Sequence, residues 1–536
     1  MTQTQVGVSP RVGDVAIGRP RNWVVAAVRL VGRDRSGILV TVFGLAAALW
    51  VGGLLVGRVN GLAASEYDLG FFQQIIWNVG QHGQWVSSFH LGSFLGLHFS
   101  PVLLVPAGLE RLLGSDVRVL NVFHAAAIGA LVPAAFLLIR AILSPSRAAA
   151  PMAAALAIGI PVWAATQEVI RADFHPETIG VVLALLAGWA GLTRRSRIMW
   201  FLAILALASR EDVAYAVAIV GLLVAARGRG EMRRHGRLLT GFAIIWGVIV
   251  FGVLMPWMRD GAASDTTRYY AWLGGGLGPL LAPFTKTDLV IHALTRPTPW
   301  FAVAGMIVAL AGLPLLRPRW LLLAGPPLVA ALLSAHTWQA NLMLQYPLVL
   351  YVPLIVAAGL GGRRAIVLAR RTRRRVPTRD DRRRRIQLPR AVASLGVPLL
   401  SCLFVLLLAT PALAEGTNQG LIPPFGNIDG TFRSSASVID QIAPFAAAVP
   451  TEALLIADEG LVAPLAGRST IRQLTSLPTL PNNAYVLMDR SPALDGGWSP
   501  ERRARELLSL GSSRRPILAD DGRFVLLGPV PDGSLQ

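Results

Sequence analysis

SGILVTVFGLAAALWVGGLLVG, Ser36 to Gly57, runs for 22 residues without a charge. That is long enough for a helix to cross hydrocarbon, which takes ~20 apolar residues. Arg11, Arg19, Arg21, Arg29, Arg33 and Arg35 precede it. Cytoplasmic flanks of membrane helices accumulate arginine and lysine, so the N-terminus is expected inside. Just past the run stand Glu66-Tyr67-Asp68. A crossing that hands a pair of acids to the far side decides the reading, because carboxylates near hydrocarbon are costly and mark a site or an ion path.

Working outward, the whole chain has the composition of a membrane protein. Of its 536 residues 53% are hydrophobic and 15% charged, with a mean hydropathy of +0.54. These values exclude an ordinary soluble domain of this size. The net charge of +20 is concentrated: Arg363–Arg390 holds thirteen Arg against Asp380 and Asp381. Lys286 is the sole lysine. Without interleaved aromatic side chains such a run reads as a topology signal with lipid-headgroup contact, and nucleic acid is not expected as a partner. The single Cys402 excludes an intrachain disulfide and a cysteine metal cluster.

About eleven crossings are expected, near 36–57, 118–139, 148–166, 177–193, 198–209, 212–226, 238–257, 299–316, 320–335, 342–360 and 394–413. The predicted fold class is an all-α polytopic membrane protein with a cytoplasmic N-terminus and a small α/β extracytoplasmic C-terminal domain. Alternation leaves Arg140, Arg147, Arg194–Arg197, Arg227–Arg237, Arg317–Arg319 and the Arg363–Arg390 run inside. The domains are then a cytoplasmic tail, 1–35; a multi-span membrane domain, 36–413, with outer loops 58–117 and 258–298 and a basic cytoplasmic loop 361–393; and the outer domain, 415–536. Residues 99–113, with Pro101 and Pro106, read as an interfacial or re-entrant helix. The hairpin 198–226 is too short for two full crossings, so its polar turn Ser209–Asp212 is expected inside the membrane profile, lining a wet cavity. In the tail, Leu454–Ala457, Tyr485–Met488 and Phe524–Leu527 read as short buried strands and Pro500–Leu510 as a helix.

The polar clusters carry the chemistry. After Glu66 and Asp68, the residues Phe71, Phe72, Ile75, Ile76 and Val79 form a stripe at helical spacing, expected to lie on the outer leaflet. The two acids either act as base or cation ligands or merely cap that helix. His98 opens His98-Phe99-Ser100-Pro101 and is either a phosphate donor or an interfacial structural histidine. Asp173, His175 and Glu177, next to Arg171, crowd one rim; they hold a headgroup or metal, or form a helix cap with local ion pairs. Arg210-Glu211-Asp212 is an intramembrane arginine flanked by acids, a functional-site reading by default. In the long outer loop Arg259, Arg268, Tyr269, Tyr270 and Lys286 are placed to close over a ligand, and His336 and Gln345-Tyr346 stand at the outer ends of late crossings.

In this order the motifs resemble the family of predicted membrane proteins called domain of unknown function 2079. Arg210 stands where that family usually has lysine, and Leu97 where it usually has an aspartate. The family in turn resembles the C-type glycosyltransferases, multi-span enzymes that use polyprenyl-phosphate sugars and carry a modified DxD motif in the first outer loop. The resemblance implies a membrane glycosyltransferase in the cytoplasmic membrane of a bacterium, passing a sugar from a polyprenyl-phosphate donor to an extracytoplasmic glycan, lipid or protein acceptor. It implies Asp68 as the catalytic carboxylate, supported by Glu66, with a divalent cation, if one is used, on the same two residues. His98, Arg171, Asp173, His175, Glu177, Arg210, Glu211, Asp212, Lys286 and His336 are the expected substrate ligands. The competing classes are a lipid or sugar transporter, suggested by the short hairpin, and a non-catalytic scaffold whose tail binds partners.

Overall fold

A computed structural model of the chain describes residues 35–64, 66–259, 264–274, 278–375, 437–474, 480–490 and 515–531. The side chains of Glu66 and Tyr67 are not among those described. The expected crossing 394–413 with Cys402, the basic loop beyond residue 375 and the tail helix Pro500–Leu510 also fall outside this set.

The elements that position the site are α1 (Arg35–Asn60), α2 (Phe71–His82), α3 (Leu104–Leu113), α4 (Arg118–Leu143), α5 (Pro176–Leu192), α6 (Ser196–Leu207), α7 (Val213–Arg227), α8 (Glu231–Ile249) and α9 (Leu348–Arg375). Every expected crossing that falls among the described residues forms a helix or a broken helix. They differ in length. Among the described residues four helices are long and apolar enough to cross a membrane: Arg35–Asn60, Arg118–Leu143, Glu231–Met258 and Leu348–Arg371. The pair Ala149–Val162 and Ala164–Arg171, bent by 44°, makes five if taken as one span. The others are shorter apolar helices. Pro161 precedes the bend at Trp163, and the helix Pro297–Ala309 closes on two left-handed residues, Ala311 at φ 55° and Gly312 at φ 65°.

Helices α1 and α4 pack against each other through small residues. A Cβ on Gly44 would sit 2.8 Å from the Gly129 carbonyl oxygen. In lipid, such close approach replaces water exclusion as the source of helix association. The largest buried cluster joins Val51, Ile128, Leu185, Val217 and Leu354 across α1, α4, α5, α7 and α9. Leu45 and Leu49 on α1 and Ile245, Val248 and Val253 along Glu231–Met258 are exposed, as lipid-facing helix surfaces require.

Helix α2 does not lie on a leaflet surface. All of Phe71–Gly80 is buried. The apolar stripe enters a cluster with Phe94, Leu103, Leu120, Phe174 and Ala463, while the polar side, Gln73, Gln74 and Asn78, is covered as well. Buried amides need partners, and they have them: Gln73 donates to Glu110 Oε1 at 3.0 Å, and Asn78 to the Val86 carbonyl at 2.9 Å.

Part of the cover of α2, over Gln74, is the C-terminal unit, with α10 (Ile439–Ala447) and α11 (Glu459–Leu465). Its sheet has the order β2-β1-β3-β5-β4, where β1 is Leu455–Ala457, β2 Ile471–Gln473, β3 Tyr485–Asp489, β4 Ile517–Asp520 and β5 Phe524–Leu527. β1 runs parallel to β2 and β3; β5 is antiparallel to β3 and β4. The three strands read from the sequence are the central ones. β2 and β4 went unread because edge strands are short and keep polar or exposed residues: Arg472 in β2 and Ile517 and Leu518 in β4 face outward.

Candidate active site

Asp68 lies on a wide helical turn, Glu66–Gly70, that runs directly into α2. Gly70 occupies the helix N-cap position and no side chain caps it, so Asp68 does not serve as a cap. Its Oδ1 faces His175 Nε2 at 3.4 Å, with Asp68 27% exposed and His175 3%. The imidazole is fixed from both sides. Phe72 meets it edge-on at 5.6 Å, and His175 Nδ1 lies 3.4 Å from the Asp173 carbonyl oxygen. Burial alone would lower the affinity of His175 for a proton, but Asp68 and Glu177 outweigh it and hold the imidazole above its ordinary value.

Asp173 takes a left-handed backbone, φ 59°, which aspartate tolerates better than most residues. Its carboxylate pairs with Arg58 at 3.2 Å. Arg58, at the end of α1, also donates to the carbonyls of Ala63 at 2.7 Å and Arg171 at 2.9 Å. It thus ties the loop before Asp68 to the loop before His175. The sequence reading missed it, because an arginine closing a membrane helix looks like an interfacial anchor. Arg171 turns away to Glu168 Oε2 at 2.6 Å, and the same oxygen accepts the Leu344 N–H at 3.1 Å.

The third motif closes the cluster. Arg210, 13% exposed, pairs with Glu177, and its Nε stands 3.7 Å from Glu211 and 3.8 Å from Asp212. Glu211 receives the Phe99 N–H at 2.9 Å and lies 2.9 Å from His98 Nδ1. The local readings of these motifs therefore give way to long-range ones: Asp173, His175 and Glu177 each reach a different segment. His336 stacks on Tyr269 with ring centroids 4.6 Å apart, and Tyr346 OH lies 3.4 Å from His336 Nδ1. Burial and the charge of Arg268 lower the His336 imidazole below its ordinary value, against the pull of Asp68. Lys286 is engaged elsewhere, on the Trp272 carbonyl.

Arg58, Arg171, Arg210, His98 and His175 thus each face a carboxylate. Acids are in excess, and Glu177 Oε2 and Asp212 Oδ1 are buried without a hydrogen-bond partner among the described residues. Acceptors in that state suit a ligand rich in hydroxyl donors. Among the described residues, which leave out the Glu66 side chain, no three His, Cys, Asp or Glu side chains group closely enough to hold a metal ion.

The family described as predicted membrane protein, DUF2079, matches residues 58–514. No curated protein matches the chain. Among solved structures, ArnT from Cupriavidus metallidurans bound to undecaprenyl phosphate is similar at 14% identity and a TM-score of 0.46, over 93% of this chain and 99% of that one. Its apo state follows at 15% identity and 0.41, over 94% and 98%. The apo oligosaccharyltransferase of Archaeoglobus fulgidus is similar at 13% and 0.38, over 80% of this chain and 64% of that one. Likeness at this level transfers no activity.

Proposed function

We propose that this chain, which belongs to the DUF2079 family of predicted membrane proteins, is a membrane glycosyltransferase that passes a sugar from a polyprenyl-phosphate donor to an extracytoplasmic acceptor. The observation that carries the reading is Asp68: a partly exposed carboxylate, oriented by a buried histidine, at the end of the bundle where the acids of three separate segments gather. The motif resemblance of Glu66-Tyr67-Asp68 supports it. In a bacterial cytoplasmic membrane, that end faces outward and the basic loop faces the cytoplasm.

In this reading the acceptor hydroxyl gives its proton to Asp68 as its oxygen bonds to the anomeric carbon. The bond from that carbon to the phosphate oxygen breaks, and polyprenyl phosphate leaves with the electron pair. Asp68 then releases the proton to water. Arg210 is the phosphate ligand: its Nε makes no hydrogen bond among the described residues, and a forked guanidinium serves Glu177 and a phosphate together. Glu177 Oε2 and Asp212 Oδ1 accept from sugar hydroxyls. His98 and His175 steer Glu211 and Asp68, and His336 with Tyr269 forms a wall toward Asp68. Glu66 supports Asp68, and a divalent cation, where the step uses one, would be held by these two carboxylates.

The test is sugar transfer or release from a panel of polyprenyl-phosphate sugars in membranes holding equal amounts of wild type or Asp68→Asn. Turnover by wild type alone is the expected result. Equal turnover by both removes Asp68 from the mechanism. Movement of an uncleaved lipid-linked sugar across the membrane, the same in both proteins, replaces the enzyme with a transporter.

A further inference from the structure

The C-terminal unit and the loop that carries Asp68 share their cores. Leu62, from the loop, is buried in the cluster of the C-terminal sheet with Leu455, Leu461 and Phe524. In exchange Ala463, from α11, is buried in the cluster of the loop with Phe71, Phe72 and Phe174. Helix α11 packs directly on the Glu66–Gly70 turn. The fit there is close: a Cβ on Gly460 would collide with the Leu62 carbonyl, and one on Gly70 would stand 3.3 Å from the Ala463 Cα, a tight contact.

Polar contacts bind the same two parts. Gln74, fully buried, donates to the carbonyls of Arg468 at 3.1 Å and Ser469 at 3.2 Å. Its Oε1 accepts from Ser87 Oγ at 2.7 Å and the Ser88 N–H at 2.9 Å. Ser88 then exchanges hydrogen bonds with Ile471, the first residue of edge strand β2, at 2.6 and 3.1 Å. The Val438 N–H closes the ring on the Asn60 carbonyl at 3.0 Å.

We propose that the C-terminal unit is the positioning element of the site: by interlocking with residues 60–74 it fixes the turn that presents Asp68 to His175. The inference rests on the reading of Asp68 given above. A folded unit whose only task was to bind partners would need no residue of the loop in its core. Here neither part has a complete core alone, so the turn has one conformation only while α11 is seated. A base displaced by about 1 Å loses roughly 10²-fold in rate, so rigid placement at this point has a large effect.

The experiment uses the full chain with Gly460→Ala and, separately, Gln74→Leu. Hydrogen exchange of residues 66–72 and donor turnover are measured on the same samples, with residues 118–143 as the internal control of fold. The expected result in either variant is faster exchange in 66–72 with 118–143 unchanged, and kcat lowered by about tenfold or more with KM kept within about twofold. Wild-type exchange in 66–72 in both variants overturns the interlock. Faster exchange with unchanged kcat overturns its role in positioning. If Gly460→Ala loosens 118–143 as well, Gln74→Leu decides by the same criteria. Should wild type cleave no donor on the panel, the glycosyltransferase reading fails, while the exchange result still decides whether α11 holds the turn.

Discussion

The two ends of the helical bundle use arginine in opposite ways. At the end beneath the C-terminal unit, Arg58, Arg171 and Arg210 each sit on a carboxylate and are largely withdrawn from solvent. At the other end, Arg229, Arg317 and Arg363 gather close enough for their charges to reach Arg227. Their partners there are neutral: Arg363 donates to the Ile142 and Ser144 carbonyls at 3.3 Å each, Arg364 to Leu316 at 3.0 Å, and Arg317 to Leu360 at 3.4 Å. Cations clustered on helix ends without acids are what topology and lipid headgroups ask for. Cations buried with an excess of acids cost folding energy and are kept for chemistry.

Mutation can break this contrast, and the largest effect is expected at Asp68. Asp68→Asn keeps the shape and removes the base, so donor turnover falls by about 10²–10⁴-fold with the thermal midpoint little changed. Arg210→Ala strands Glu177 in a buried site and is expected to cost about 3–5 kcal/mol of stability, read as a lowered thermal midpoint in detergent.

A third test lies where the C-terminal unit meets the loop. Burial lifts Glu110 to about 7 despite its hydrogen bond from Ser115. A carboxyl raised in the fold is favoured protonated. Its contribution is full below about pH 4.5 and is lost as pH rises through about 7. The wild type should lose of the order of 2 kcal/mol across that window, and Glu110→Gln should flatten the loss. The smallest effect belongs to the basic end: Arg363→Ala is expected to change stability by less than about 0.5 kcal/mol and to leave turnover unchanged.

Much of the site was legible in the sequence as residues, and little of it as pairings. Asp68, His98, Asp173–Glu177 and Arg210–Asp212 stand out because charge in apolar surroundings is conspicuous. Their partners are remote: His98 and Glu211 are 113 positions apart, and Arg58 and Asp173 are 115. No local spacing announces such pairs, and so the motifs leave a local reading open beside the functional one. The covered face of α2 was invisible for the same reason. Phe71, Phe72 and Ile75 pointed to one buried face, but the polar side is covered as well, Gln74 by the C-terminal unit, Gln73 by Glu110 and Asn78 by the Val86 carbonyl. Helix existence was legible from apolar runs, and so was the shortness of the 198–226 pair, whereas the bend at Trp163 within 148–166 was not.

The most direct measurement is single-turnover cleavage of a polyprenyl-phosphate sugar by wild type, Asp68→Asn and Arg363→Ala, purified side by side. Arg363→Ala is expected to match wild type, and Asp68→Asn to release no polyprenyl phosphate above background. Cleavage by Asp68→Asn at the wild-type rate would contradict the assignment of Asp68 as the base.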